Sequence, residues 1–244
     1  MSTAVMDTVR YSSDGQLLDI HRAAAAADAP TVLLWHGRGP AERDVLGALA
    51  AEVARLGATV IVPDWHPDAP DGGRPHLEAS LRFTWDFVRD PAKVVLVGWS
   101  LGGRAAMATA LRPDPPEGWR PAAVVGIAAR YNQPEPLLGL PSPMAVCAAA
   151  PPLPIHLVHG TADRVCDFAN AQEFQAVLAA CGRPAPLTVL TTDHSGAVMA
   201  EYASELGRCR PAHSGSAHRE GLRTARVIAE AAGLRTREDH QVSG

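Results

Sequence analysis

A chain of 244 residues with 47% hydrophobic residues can bury one large core, and α/β folds of this length are commonly one domain, so residues 1–244 are read as a single unit. The formal net charge of -4, with no long basic run, argues against nucleic acid or an anionic membrane surface as a partner. The alanine run 23–27 is too short to span a bilayer, the N-terminus lacks the pattern of a secretory leader, and Cys147, Cys166, Cys181 and Cys209 show no C-x-x-C pairing, so a cytoplasmic protein with free thiols is expected.

Residues 4–22 alternate weakly around Ser12-Ser13-Asp14-Gly15, which predicts an antiparallel hairpin at a sheet edge. A strand is predicted at 31–35. A helix follows at 41–56, with Val45, Leu49, Val53 and Leu56 on one face and Gly57 ending it. A strand at 59–62 leads to a helix at 76–88, with Leu77, Leu81, Trp85 and Val88 inward. Next come a β-branched strand at 94–97, a helix at 104–111 and a strand at 122–128. Residues 155–158 read as a strand, 168–180 as a helix and 187–190 as the last strand. The C-terminal helix is placed at 218–232, with Leu222, Ala225, Val227 and Ile228 as its apolar contacts. Such alternation predicts a mostly parallel sheet with helices on both faces, and ligands bound beyond the carboxyl ends of its strands. Two connections lack periodicity. Residues 131–154 are Pro-rich, and 200–216 read as a surface loop that could also flank a site.

The strand at 94–97 runs into Gly98-Trp99-Ser100-Leu101-Gly102-Gly103, followed by a small-residue helical run. Strand, sharp turn and helix with a serine at the apex is the layout of a nucleophile elbow. A serine hydroxyl needs exposure, a base and oxyanion donors to act at neutral pH. Glycines at 98 and 102 avoid collisions in the tight turn, and the amide of Leu101 opens the next helix with the dipole behind it. Three further turns lie at strand ends. They are Leu33-Leu34-Trp35-His36-Gly37-Arg38-Gly39, His159-Gly160-Thr161-Ala162-Asp163-Arg164-Val165 and Thr192-Asp193-His194-Ser195-Gly196.

In these four segments the chain resembles the α/β-hydrolase family, from about residue 30 to about residue 234. The first turn matches an H-G-x-G loop, and the 159–165 segment looks like the family's H-G-x-x-D-x-x-V acid loop. Serine, acid and histidine also come in that family's chain order. The resemblance implies an α/β-hydrolase fold, mostly parallel, with 131–154 as a short lid or cap that leaves the pocket partly open. It implies Ser100 as nucleophile, Asp163 as acid and His194 as base. Compact size and the short lid look most like the dienelactone-hydrolase and small carboxylesterase branch. Classical dienelactone hydrolases use cysteine where this chain has Ser100, so a general ester or thioester fits better than a dienelactone.

Other residues compete for these roles. Asp167 sits where an N-cap for the next helix is expected, and Glu135 is a second rival to Asp163. His213 and His218 are fallbacks for His194, whose Ser195-Gly196 neighbours suggest a tight, mobile turn. His36 and His159 are read as turn braces. The second oxyanion donor is the Arg38 amide, with Gly39 as alternative, and the Arg38 side chain either greets a substrate carboxylate or points to solvent. For Arg104 and Arg164 the solvent reading is preferred. Trp99, Trp65 and Gly39 are candidate pocket residues, although core packing explains Trp35, Trp65 and Trp99 equally. Asp64-Trp65-His66-Pro67-Asp68 fits no standard metal spacing, so no metal and no cofactor is assigned. The expected protein is a serine hydrolase acting on a small-molecule ester, thioester or lactone, as monomer or homodimer. A peptidase or amidase with the same residues, or a non-catalytic binding protein on this scaffold, is the alternative.

Overall fold

The structure is a computed structural model that describes residues 5–22, 29–135, 139–150 and 152–235. Strands β1 (Val5–Arg10) and β2 (Leu17–Arg22) form the expected antiparallel edge hairpin. β3 (Thr31–Trp35), β4 (Thr59–Pro63), β5 (Val95–Trp99), β6 (Ala123–Ile127), β7 (Ile155–Gly160) and β8 (Leu187–Leu190) complete an eight-stranded sheet in the order β1-β2-β4-β3-β5-β6-β7-β8. From β4 to β8 every pairing is parallel. Every residue of β3, β4, β5 and β6 is buried. Continuous Val, Ile and Leu runs of this kind suit strands covered on both faces.

Helices α1 (Gly47–Arg55) and α6 (Gly215–Ala231) cover one face, through Val53, Ala225 and Ile228 packed on Val32, Val60 and Val97. Helices α2 (Arg74–Phe87), α3 (Leu101–Leu111), α4 (Pro143–Val146) and α5 (Ala169–Ala180) cover the other, where Leu77, Met107, Cys147 and Phe174 meet Leu33 and Leu96. The chain leaves β3 towards β4, then crosses back to place β5 on the other side of β3. With right-handed crossovers this reversal puts α1 and α2 on opposite faces and opens a crevice beyond the ends of β3 and β5. No described helix is long and apolar enough to cross a membrane.

Most differences from the sequence reading are at element ends, but three change the picture. The helix expected from residue 41 starts at Gly47, after a 3-10 turn over Arg43–Leu46. The 200–216 connection is not a plain loop. It folds into a second antiparallel pair, β9 (Ala200–Ala203) with β10 (Arg208–Pro211), closed by a turn at Gly207. The described parts of 131–154 are anchored in the core, where Tyr131 stacks on Phe174 at 4.4 Å and the Met144 amide donates to the Tyr131 carbonyl at 3.2 Å.

The turn after β3 is held by one fully buried ring. His36 Nε2 accepts the amides of Glu42 (3.3 Å) and Trp65 (3.2 Å), while Nδ1 faces the Gly37 carbonyl at 2.9 Å. Two donors and one acceptor require the neutral tautomer with the proton on Nδ1. Burial pushes this imidazole down to about 3. An unfolded histidine takes up its proton near about 6.5, so the unfolded chain binds one more proton throughout the interval below that value. Folding stability should therefore fall by about 1.4 kcal/mol for each pH unit below about 6.5, from this residue alone. Urea unfolding between pH 6 and 4.5 should show a slope steeper by about that amount in the wild type than in His36→Gln, which keeps an acceptor but cannot titrate; His21 and His156, also pushed down by burial, contribute to both proteins alike. Equal slopes in the two proteins would overturn the assignment.

Candidate active site

Ser100 lies between the end of β5 and the start of α3, with φ 55° and ψ -118°. A non-glycine residue there costs on the order of 1–3 kcal/mol and needs its surroundings to hold it. The Ser100 amide donates to the Ile127 carbonyl at 2.8 Å, and its carbonyl accepts the Arg104 amide at 3.1 Å. A Cβ on Gly98 would overlap the Gly102 carbonyl, and one on Gly102 would overlap the carbonyls of His36 and Trp35. The turn therefore tolerates no side chain at either position, and the half-buried Ser100 is carried out past both elements. Leu101, as the first residue of an 11-residue helix, offers an amide with no preceding carbonyl in the helix ladder.

The acid loop starts where β7 ends. Asp163 is 8% exposed. Its Oδ1 accepts the amides of Val165 and Cys166, each at 2.8 Å. Its Oδ2 lies 2.8 Å from His194 Nδ1 and 3.2 Å from His159 Nε2. His159 Nε2 is also 2.8 Å from the Cys166 carbonyl; both neighbours are acceptors, so this nitrogen carries the proton. Burial pushes the Asp163 carboxyl up, but the hydrogen bonds from His159, His194 and the Cys166 amide outweigh it and hold the group well below the usual carboxylate range. Asp167, the rival, caps α5 by accepting the Ala169 amide at 2.9 Å, as its position implies. Counted from Asp163, the valine position of the acid-loop pattern is filled by Cys166. Cys166 is buried, whereas Val165 is 55% exposed.

His194 follows β8 in a turn braced rather than mobile. Asp193 Oδ1 accepts the Gly196 amide at 2.8 Å and the Ser195 hydroxyl at 3.2 Å. The Thr224 hydroxyl of α6 donates to the Ala197 carbonyl at 2.7 Å. The Trp99 indole donates to the His194 carbonyl at 3.1 Å, and the two rings lie 5.2 Å apart. With Nδ1 on Asp163, Nε2 is the ring nitrogen turned away from that carboxylate.

These contacts gather Ser100, Asp163 and His194 at one end of the sheet. Trp99 ties the histidine turn to the elbow, and the Cys166 thiol has the Ser100 hydroxyl and the Arg130 guanidinium beside it. Burial, with Asp163 close by, pushes that thiol up and keeps it protonated. Cys166 and Arg130 were not singled out in the sequence; the one available signal was the three-residue step from Asp163. Gly37 completes the rim, since a Cβ there would press on Trp99 and on the Ser100 Cβ. The backbone of Gly37 thus passes beside the serine, and Arg38 is the next residue along the chain.

Other expectations fare differently. The Arg38 guanidinium is 73% exposed and turned towards Asp68 at 3.6 Å, which is the surface arrangement. Trp65 is no pocket wall: it is fully buried and stacks on His36 at 5.3 Å. Gly39 faces the Glu42 carboxylate, and Trp99 is 4% exposed, a brace more than an open surface. Arg104 donates to Gln133 at 2.8 Å beside the buried Glu135, while Arg164 is exposed. His213 is exposed and His218 caps the Ala212 carbonyl at 3.2 Å, both away from Asp163 in their bonding. Asp64 is engaged by Arg43 through its backbone amide and its guanidinium.

No protein-family profile matches the chain, and no curated protein matches it by sequence. Solved structures match in shape. An esterase of Thermogutta terrifontis superposes with a TM-score of 0.72 at 16% identity, covering 97% of this chain and 95% of the esterase. A Klebsiella pneumoniae protein described as a dienelactone hydrolase gives 0.70 at 14% identity, covering 96% of this chain and all of its own. An acylaminoacyl peptidase of Pyrococcus horikoshii gives 0.65 at 12% identity; it spans 94% of this chain, but this chain covers only 41% of the peptidase. Together with the sheet order and the four turns at its carboxyl end, these likenesses establish that the chain has the α/β-hydrolase fold.

Proposed function

We propose that the chain is a serine hydrolase that cleaves small to medium carboxylic esters, thioesters or lactones through an acyl-enzyme on Ser100. The observation that carries this reading is the 2.8 Å bond between His194 and the buried Asp163, joined by Trp99 to an elbow that projects Ser100. His194 Nε2 takes the hydroxyl proton as Ser100 attacks the substrate carbonyl. Asp163, kept anionic by its hydrogen bonds, holds the ring tautomer and stabilises the imidazolium. The amides of Leu101 and Arg38 receive the oxyanion, aided by the positive end of α3. Collapse returns the proton to the leaving alcohol or thiol. Water then attacks the acyl group by the same route and releases the acid.

Two observations favour esters over peptides. The esterase and the dienelactone-type protein match this chain over nearly their whole length, whereas more than half of the peptidase has no counterpart here. The 131–154 connection is short for a lid and offers little apolar cover, which suits a short acyl group.

A fluorophosphonate probe should label the wild-type protein and fail to label Ser100→Ala, with circular dichroism unchanged between them. A wild-type protein left unlabelled would sink the proposal. Asp163→Asn should keep KM for p-nitrophenyl acetate within about threefold and lower kcat by about 10³–10⁴-fold, because the ring loses its orienting anion. A fall of less than tenfold would assign that role elsewhere. Hydrolysis of p-nitrophenyl acetate should exceed that of a long-chain ester in kcat/KM, and the reverse order would contradict the open site.

A further inference from the structure

The described residues hold a second reactive pair, remote from the serine in bonding. Cys147 is the C-cap of α4 and Cys181 is the C-cap of α5, and their Sγ atoms lie 3.3 Å apart. Cys147 is 1% exposed and packs in the cluster that holds Tyr131 and Phe174, while Cys181 is partly exposed. The other cysteines are placed differently. Cys166 lies beside Ser100 and Arg130, and Cys209 beside Ser195. A disulfide needs an S–S distance of about 2.05 Å, so closing this gap asks for a movement of about 1 Å, within the reach of two residues that each end a helix.

We propose that Cys147 and Cys181 form a reversible dithiol–disulfide pair, oxidised by exchange with a low-molecular-weight disulfide. Cys181, the more accessible partner, attacks one sulfur of the small disulfide as its thiolate. A Cys181–S bond forms, the oxidant's S–S bond breaks, and one small thiol leaves. Cys147 then loses its proton and attacks the Cys181 sulfur, expelling the second small thiol. The two protein sulfurs give up two electrons, and the oxidant leaves as two thiols carrying the two protons. Burial, reinforced by the hydrogen bond with the Cys181 thiol, pushes Cys147 up to about 11. Burial of Cys147 persists in the mixed disulfide, so the closing step needs a buried thiol to lose its proton and should speed up with rising pH between pH 7 and 9.

The bond would do structural work. Residues 147 and 181 bracket β7, the acid loop and α5. Joining them clamps the α4 end of the 131–154 segment onto the helix that follows Asp163, and removes loop freedom from the unfolded chain.

The test uses the full-length wild-type protein with oxidised glutathione, alkylation of remaining thiols and peptide mapping. The expected product has a linked Cys147–Cys181 peptide, with Cys166 and Cys209 still alkylated, is reversed by dithiothreitol and melts about 5 °C higher. Alkylation of Cys147 and Cys181 after oxidation would overturn the proposal, and so would stable glutathione adducts on either; a linked protein with an unchanged melting temperature would overturn the clamping role. Cys181→Ser should abolish the fast first step and leave Cys147 alkylated at neutral pH; glutathionylation of Cys147 in that variant at the wild-type rate would reverse the assigned order of attack.

Discussion

The first turn of α3 rests directly on the end of β3. The carbonyls of Trp35 and His36 fill the space that a side chain on residue 102 would need, and the Gly102 carbonyl fills that of residue 98. A helix seated so closely leaves no room for an ordinary strand-to-helix turn, so the backbone of Ser100 takes φ 55°. The strain, on the order of 1–3 kcal/mol, is small beside the core that imposes it. Leu33, Leu34, Leu96 and Val97 are all fully buried, and each contributes about 1.5–3 kcal/mol on leaving water. The strained placement of Ser100 at the apex of the turn is thus a consequence of how tightly two neighbouring strands and one helix pack.

Around that contact, buried polar groups do the aligning. His36 and His159 are both fully buried and neither is the residue placed to move a proton. His36 satisfies two loop amides, and His159 hydrogen-bonds both to Asp163 and to the loop that carries it. Asp163 in turn collects two amides and two imidazoles, which keeps it charged in a nearly dry place. Such a carboxylate has little freedom to rotate, so it fixes the ring of His194, which it meets at 2.8 Å. The site also carries a cost: His159 Nδ1 is buried without a hydrogen-bond partner among the described residues, worth about 1–3 kcal/mol against folding. That nitrogen is left over because the other one must donate.

The strands and the order of the motifs were legible because their signals are local. Valine-rich runs buried on two faces look the same in any tertiary setting, and Gly98 and Gly102 announce the elbow without help from distant residues. The hairpin of β9 and β10 was missed because its pairs mix Arg208, Arg210, Glu201 and Tyr202, which show no apolar alternation. Part of its cross-strand attraction is ionic, as in Arg210 with Glu201 at 2.9 Å. Trp65 was open between pocket and core because an indole suits both; only its stacking on His36 decides the matter. Cys166 gives no legible signal in the sequence, since a cysteine three residues after an aspartate has no meaning until the loop is folded.

The order of apolar runs and turns along the chain determined by itself an eight-strand alternation, its mostly parallel sense, and the serine, aspartate and histidine standing at strand ends. These follow from side-chain periodicity and from the backbone demands of glycine, both properties of a few adjacent residues. Which nitrogen of His194 meets Asp163, which cysteine lies under the serine, and which two thiols touch were decided only by the tertiary structure. Those relations join residues tens of positions apart. Their distances are set by the seating of α3, α4 and α5 on the sheet, which no local pattern encodes.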